Sequence, residues 1–266
     1  MAERQNDKPE MLGAWPYSVI SGFAYTAEQR ADNDALSLES ADIACPLTRS
    51  LRVLGNDELK AKLTTELPSV DHLALHVKQV SELLQVTDCT GNLAVDIDVM
   101  RLDERTLSIE AAFSSGSDRP FARSISTIAF VTRDQLPVSQ AVKKPKRLVE
   151  KPLIISFDKV AVRHYCKISG DDNPIHSDDT ILTALGLASL TVPGAMVLQR
   201  IEALINTHRD WTLNSRIECQ FVDMVAIDEA CSLSIRPSPR GIGLPLRFVL
   251  TKSNGRIAIF GSITAE

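Results

Sequence analysis

The sequence predicts an α+β fold made of two similar units, each an antiparallel sheet beside one long apolar helix. Three observations lead there. Two separate regions alternate apolar and polar residues with period two. Each region follows the order strand, helix, then four strands. One helical stripe is too apolar to stand free in water. In the first region Leu73, Leu75 and Val77 alternate with polar or small residues, and Leu93, Val95, Ile97 and Val99 alternate against Asp96 and Asp98. Successive strand side chains face opposite sides, so this period marks strands with one buried face. In the second region Pro193 to His208 carries Val197, Leu198, Ile201, Leu204, Ile205 and His208 along one helical stripe. A stripe of that width must be buried, and a neighbouring sheet offers the surface for it.

The elements then fall in order. Residues 1–12 read as a disordered tail, and Trp15 to Ala24 is apolar and partly β-branched, a first strand. Pro46 opens a helical pattern with Leu47, Leu51 and Leu54 inward, which Gly55 stops, and Asp57 to Leu63 is a second amphipathic piece. After the strands beginning at Leu73 and Leu93, Thr106 to Phe113 and Ile125 to Val131 continue the set, with Ser114-Ser115-Gly116-Ser117 between them. Gln135 to Glu150 holds Pro137, Pro145 and the basic residues Lys143, Lys144, Lys146 and Arg147, and reads as a solvated linker. The expected division is therefore a first domain over 1–134, a linker over 135–150 and a second domain over 151–266. In the second domain Leu153 to Phe157 is a strand, and the spacing predicts a short helix from Pro174 to about Leu185 ended by Gly186. Strands return at Ile217 to Met224, Ala230 to Ile235, Leu246 to Thr251 and Ile257 to Thr264. Ser253-Asn254-Gly255-Arg256 between the last two is the strongest hairpin signal in the chain.

At 266 residues the chain is large for one compact unit and comfortable for two. Its 44% hydrophobic content allows an ample core, and a net charge of −5 gives no support for nucleic acid or an anionic membrane as partner. The five cysteines are widely spaced without a Cys-x-x-Cys and read as reduced, mostly buried thiols. The polar N-terminus lacks an apolar signal core, no apolar run approaches the roughly 18 residues of a membrane span, and the C-terminus carries no peroxisomal address. The expected location is the cytoplasm.

Chemistry concentrates in Ile168-Ser169-Gly170-Asp171-Asp172-Asn173-Pro174-Ile175-His176. Asn173 precedes a proline, which keeps it extended, and Asn is a good N-cap with Pro174 suited to the first helical position. Asp178 and Asp179 then lie near the first turn. A positive helix end disfavours imidazolium, so a neutral, proton-accepting His176 beside Asp171 is expected. A capped helix start after a Gly-Asp turn accounts for the same residues without chemistry. A metal site fits poorly, because the run lacks the mid-loop Gly and closing Glu of a calcium loop and has too few His or Cys for zinc.

The whole string, Tyr165, then Ser-Gly-Asp-x-Asn-Pro-Ile-His, then Val192-Pro193-Gly194-Ala195-Met196 opening an apolar helix, resembles the hydratase motif of MaoC-like (type 2, R-specific) enoyl-CoA hydratases. The resemblance covers about Lys151 to Glu266. It implies a double hot-dog fold, two antiparallel sheets each with a long central helix, in which the halves mimic a dimer. It also implies that Asp171 and His176 are the catalytic pair and that Gly194 supplies an oxyanion-binding backbone N–H. Asn173 is included with Gly194 as an oxyanion or substrate-binding candidate, although shaping the turn is its simpler role. The family often has a histidine or another small residue where this chain has Pro193. The first half has Leu47 where the second has Gly194, and no Asp-x-Asn-Pro-x-His precedes it. Its His72 and His76 lie four apart in a period-two segment, which suits a packed or solvated role better than a metal pair.

The implied function is a hydratase or dehydratase interconverting trans-2-enoyl and (R)-3-hydroxyacyl thioesters in fatty-acid or related metabolism. No cofactor or metal is expected beyond the carrier, coenzyme A or acyl carrier protein, and the basic linker is a candidate for the coenzyme A phosphates. A hot-dog thioesterase, or an inactive acyl-thioester-binding protein, are the alternatives. A monomeric pseudo-dimer or a homodimer is the expected assembly.

Overall fold

The computed structural model describes residues 17–27, 73–84, 93–114, 119–132, 152–169, 171, 173–206, 215–237 and 246–265. Ten strands run through them: β1 Tyr17–Ala27, β2 Leu73–Leu83, β3 Leu93–Asp103, β4 Thr106–Ser114, β5 Ala122–Val131, β6 Leu153–Ile155, β7 Ser215–Phe221, β8 Cys231–Pro237, β9 Leu246–Thr251 and β10 Ile257–Ala265. Three α-helices lie between β6 and β7: α1 Lys159–Ser169, α2 Ile181–Leu185 and α3 Gly194–Asn206. The expectations for the tail, the Pro46 helix, Leu47, the 135–150 linker, His72, Cys45, Cys89 and His208 fall outside the described residues.

All ten strands join one antiparallel sheet in the order β1-β3-β4-β5-β2-β7-β10-β9-β8-β6. Read from either outer edge inward, each half places its first, third, fourth, fifth and second strand in turn. The repeat legible in the sequence is thus a repeat of topology. The two expected sheets meet at β2 and β7, which pair from Lys78 opposite Gln220 to Leu83 opposite Ser215. This pairing joins them into one hydrogen-bonded surface and removes two bare edges.

Strict alternation makes the faces. In β3, Val95, Ile97 and Val99 are buried while Asp96, Asp98 and Met100 are exposed. In the second half, Val197, Leu198, Ile201 and Ile205 of α3 pack into a core with Ile217, Leu233, Phe248, Leu250 and Ile263 of the sheet. That is the expected stripe, with Leu204 partly buried at its margin. Each such side chain contributes about 1.5–3 kcal/mol when fully buried, so α3 is held by its sheet rather than by helix propensity.

Two local expectations change. The segment after Asn173 is not one helix. It is a single 3-10 turn, Pro174–His176, followed separately by α2. Asp178 Oδ1 accepts from both the backbone N–H and the hydroxyl of Thr180, at 2.9 and 2.6 Å, and these local bonds compete with helix continuation. Gly186 does end α2, in the left-handed region at φ 65°, with its N–H turned back on the helix carbonyls. Helix α1 was not expected. Its signal is Asp158, whose carboxylate accepts the Ala161 N–H at 2.7 Å as a cap, followed by Val162, Tyr165 and Cys166 on one buried face.

Candidate active site

The motif turn is built by its own side chains. Asp171 Oδ1 accepts the Asn173 N–H at 3.2 Å, and Asn173 Oδ1 accepts the Ile175 N–H at 3.4 Å. Asn173 has φ −62° and ψ 118°, the extended geometry its following proline demands. The buried Ser169 hydroxyl accepts the Asp171 N–H at 3.3 Å. Asp171 is therefore held at both its backbone and its carboxylate, with its second oxygen directed at His176.

His176 is 7% exposed. Its Nδ1 lies 2.9 Å from the Thr191 carbonyl oxygen. A carbonyl only accepts, so Nδ1 carries the proton and Nε2 presents its lone pair. Nε2 lies 3.6 Å from Asp171 Oδ2. Two acceptors facing one another cannot bond directly, but both can receive the protons of one water or hydroxyl between them. Burial holds the His176 pKa below the ordinary histidine value, against the opposing influence of the Asp171 carboxylate and the Thr191 carbonyl. The expected neutral ring is thus present for a different reason. A three-residue 3-10 turn has little dipole to offer, and desolvation does the work.

Gly194 begins α3, so its N–H is among those without an intrahelical acceptor. It follows Thr191 by three residues, within about 10 Å along an extended chain. The Thr191 carbonyl that fixes His176 and the helix start therefore belong to one short strap. A Cβ at Gly194 would sit 2.9 Å from two atoms of the Phe221 ring, which explains the glycine.

The first half forms a wall of this site. Asn173 Nδ2 donates to the Ala74 carbonyl of β2 at 3.2 Å. The amide of Asn173 is thereby engaged in shaping the turn and fastening it to β2. Leu75 packs against Ile175, with Val77, Leu185, Leu187 and Met224 around them. His76 stacks on Phe221 with ring centroids 4.4 Å apart, so Phe221 lies against both His76 and Gly194. His76 also bonds Gln79 Oε1 at 3.0 Å, and burial lowers its pKa to about 4. It is packed, one of the two roles that its strand period suited. Its place beside the site could not be read from sequence, because it depends on the pairing of β2 with β7, over a hundred residues away.

Other reactive groups are quiet. Cys166, Cys219 and Cys231 are free and buried. Burial, helped by the Asp171 charge, pushes the Cys166 thiol up to about 12, so it holds its proton and is a poor nucleophile. Tyr165 is buried in the core. Gly170 and Asp172 lie outside the described residues. Among the described residues, no three His, Cys, Asp or Glu side chains converge as a metal site would require, and no helix is long and apolar enough to cross a membrane.

The antiparallel sheet, the long central helix and the pseudo-symmetric second copy define a double hot-dog fold. Solved structures share it across nearly the whole chain. HtdX of Mycobacterium tuberculosis superposes with a TM-score of 0.68 at 14% identity, covering 92% of this chain and 100% of that one. A MaoC-like dehydratase from Phytophthora capsici gives 0.65 at 16% identity, covering 92% and 96%. An acyl-ACP thioesterase from Bacteroides thetaiotaomicron gives 0.56 at 11% identity, covering 92% and 97%. No family model matches the sequence, and no curated protein matches it.

Proposed function

We propose that this chain is a MaoC-like hydratase or dehydratase that interconverts trans-2-enoyl and (R)-3-hydroxyacyl thioesters. The observation that carries the reading is the pair Asp171 and His176, two proton acceptors 3.6 Å apart, beside a helix start within the reach of one strap. A water held between Nε2 and the carboxylate loses a proton to one of them as its oxygen attacks C3. The group that took it then gives a proton to C2, so that one water supplies both the hydroxyl on C3 and the hydrogen on C2. Negative charge that develops on the thioester oxygen is met by the Gly194 N–H, a dipole fixed before reaction. Asp171 also offsets the positive charge that His176 acquires. The acyl thioester is carried by coenzyme A or by acyl carrier protein, and the protein works in solution, most simply in the cytoplasm, as a pseudo-dimer or as a homodimer of such chains.

The fold is shared with thioesterases as well, so the assay must separate the two chemistries. Purified protein is incubated with trans-2-enoyl-CoA, and loss of the conjugated absorbance is followed beside release of free thiol. Loss of absorbance without thiol, with an (R)-3-hydroxyacyl product on chiral analysis, is the expected result. Thiol release at the same rate, or a mainly (S) product, overturns the assignment. Asp171→Asn and His176→Ala should each lower turnover about 10²-fold or more in folded protein, from loss of acid–base catalysis.

A further inference from the structure

We propose that Lys252 and Glu229 form an ionic clamp that positions His176 and the start of α3 relative to one another. The inference rests on the reading of Asp171 and His176 as the reacting pair. The clamp grips the loop between β7 and β8 on both sides of Val225. On one side Lys252 Nζ donates to the Met224 carbonyl at 2.6 Å. On the other, Glu229 Oε2 accepts the Ala226 N–H at 3.2 Å. Nζ lies 3.5 Å from that same Glu229 oxygen and 3.6 Å from Asp223 Oδ2, which Arg256 approaches at 4.0 Å. Ser253 Oγ donates to Glu229 Oε1 at 3.2 Å. Lys252 and Glu229 are only 13% and 12% exposed.

The gripped loop in turn holds the strap. The Val225 carbonyl accepts the Val192 N–H at 2.8 Å, and the Ile227 N–H donates to the Leu190 carbonyl at 2.9 Å. Thr191 sits between, bridged to Ala226. The Thr191 N–H donates to the Ile175 carbonyl at 2.9 Å, and its own carbonyl takes the Nδ1 proton of His176. Three residues after Thr191, the strap becomes Gly194. One loop thus registers both the ring that moves the proton and the N–H that meets the oxyanion. Charged side chains this far from water are costly to bury, and an apolar pair of similar volume would often hold a loop equally well. What an apolar pair lacks is a directed grip on the Met224 carbonyl and the Ala226 N–H. Lys252 and Glu229 are accordingly positioning residues, three hydrogen-bonded links from the His176 ring and two from the start of α3.

The test uses the full chain. Ring-nitrogen NMR of His176, assigned by its loss in His176→Gln, reads the tautomer and requires no turnover. The parent holds the Nδ1–H form. Lys252→Met, and the near-isosteric Glu229→Gln should the first fold poorly, are expected to give a mixture of tautomers. In the enoyl-CoA assay they lower kcat about tenfold or more with little change in KM, since small misplacements act on the reacting geometry. Lys252→Arg restores most of the rate, because the grip on the carbonyl is kept. The double variant Lys252→Met with Glu229→Gln leaves no unpaired charge within the pair, so it regains thermal stability while staying slow. Folded single variants that keep a pure Nδ1–H ring overturn the clamp. A parent inactive on every enoyl thioester, whose ring still changes tautomer in Lys252→Met, overturns the reaction and leaves the clamp standing.

Discussion

At the scale of single residues, the proposed acid–base pair could be picked out in the sequence because its members are close neighbours in the chain. Asp171, Asn173 and His176 lie within six residues, and a proline fixes the backbone between two of them. What decides the state of His176 is not local. Its burial, and a carbonyl fifteen residues further on, choose neutral imidazole with the proton on Nδ1. The kinetic consequence has a definite sign. A base must be unprotonated to act, and a ring whose pKa lies below the ordinary histidine value stays unprotonated at lower pH. The acidic limb of kcat/KM should therefore fall below pH ~6.5, the free histidine value. A limb at or above that value in a pH–rate profile would contradict the buried neutral ring. His76, with a pKa of about 4, is a neutral wall rather than a second base across the working range.

At the scale of elements, period and capping identified the strands and the apolar stripe of α3, because burial on one face is written into alternate residues. They overran at Asp178, where one carboxylate accepts two bonds from Thr180 and breaks a helix that spacing alone would continue. The start of α3 makes the sharpest element-level prediction. A methyl at position 194 would meet the Phe221 ring at 2.9 Å, and that ring is backed by His76. Gly194→Ala should destabilise the protein by about 1–3 kcal/mol, the usual cost of overpacking a filled site. Turnover should fall with it, since the ring can yield only by disturbing the stack beside the helix start. Phe221→Leu in the Gly194→Ala background should recover much of the loss on thermal melting. If Gly194→Ala melts with the parent at full activity, the Phe221 contact does not constrain this position.

At the scale of the whole molecule, the doubled plan was legible from the repeated element order, whereas the edge-to-edge join was not. No local pattern marks β2 and β7 as partners; their pairing is chosen by which edges remain bare. It follows that residues 151–266 alone would expose the β7 edge and the Ile175 surface that Leu75 covers. Such a fragment should be insoluble or should pair with itself as a surrogate dimer, which sedimentation velocity would show. A stable, soluble monomer would mean that the first half is dispensable for the fold. The Asn173 bond to Ala74 spans 99 residues, and the seam, the pairing of β2 with β7, joins residues more distant still. Contacts of such separation close late, because loop entropy is lost before they form. The hairpins can be complete while the motif turn still lacks its clasp. In refolding from denaturant, strand signal in far-UV circular dichroism should return before activity. Equal rates for the two would mean that the seam closes with the hairpins, and otherwise the newly made chain acquires its chemistry as the last step of becoming itself.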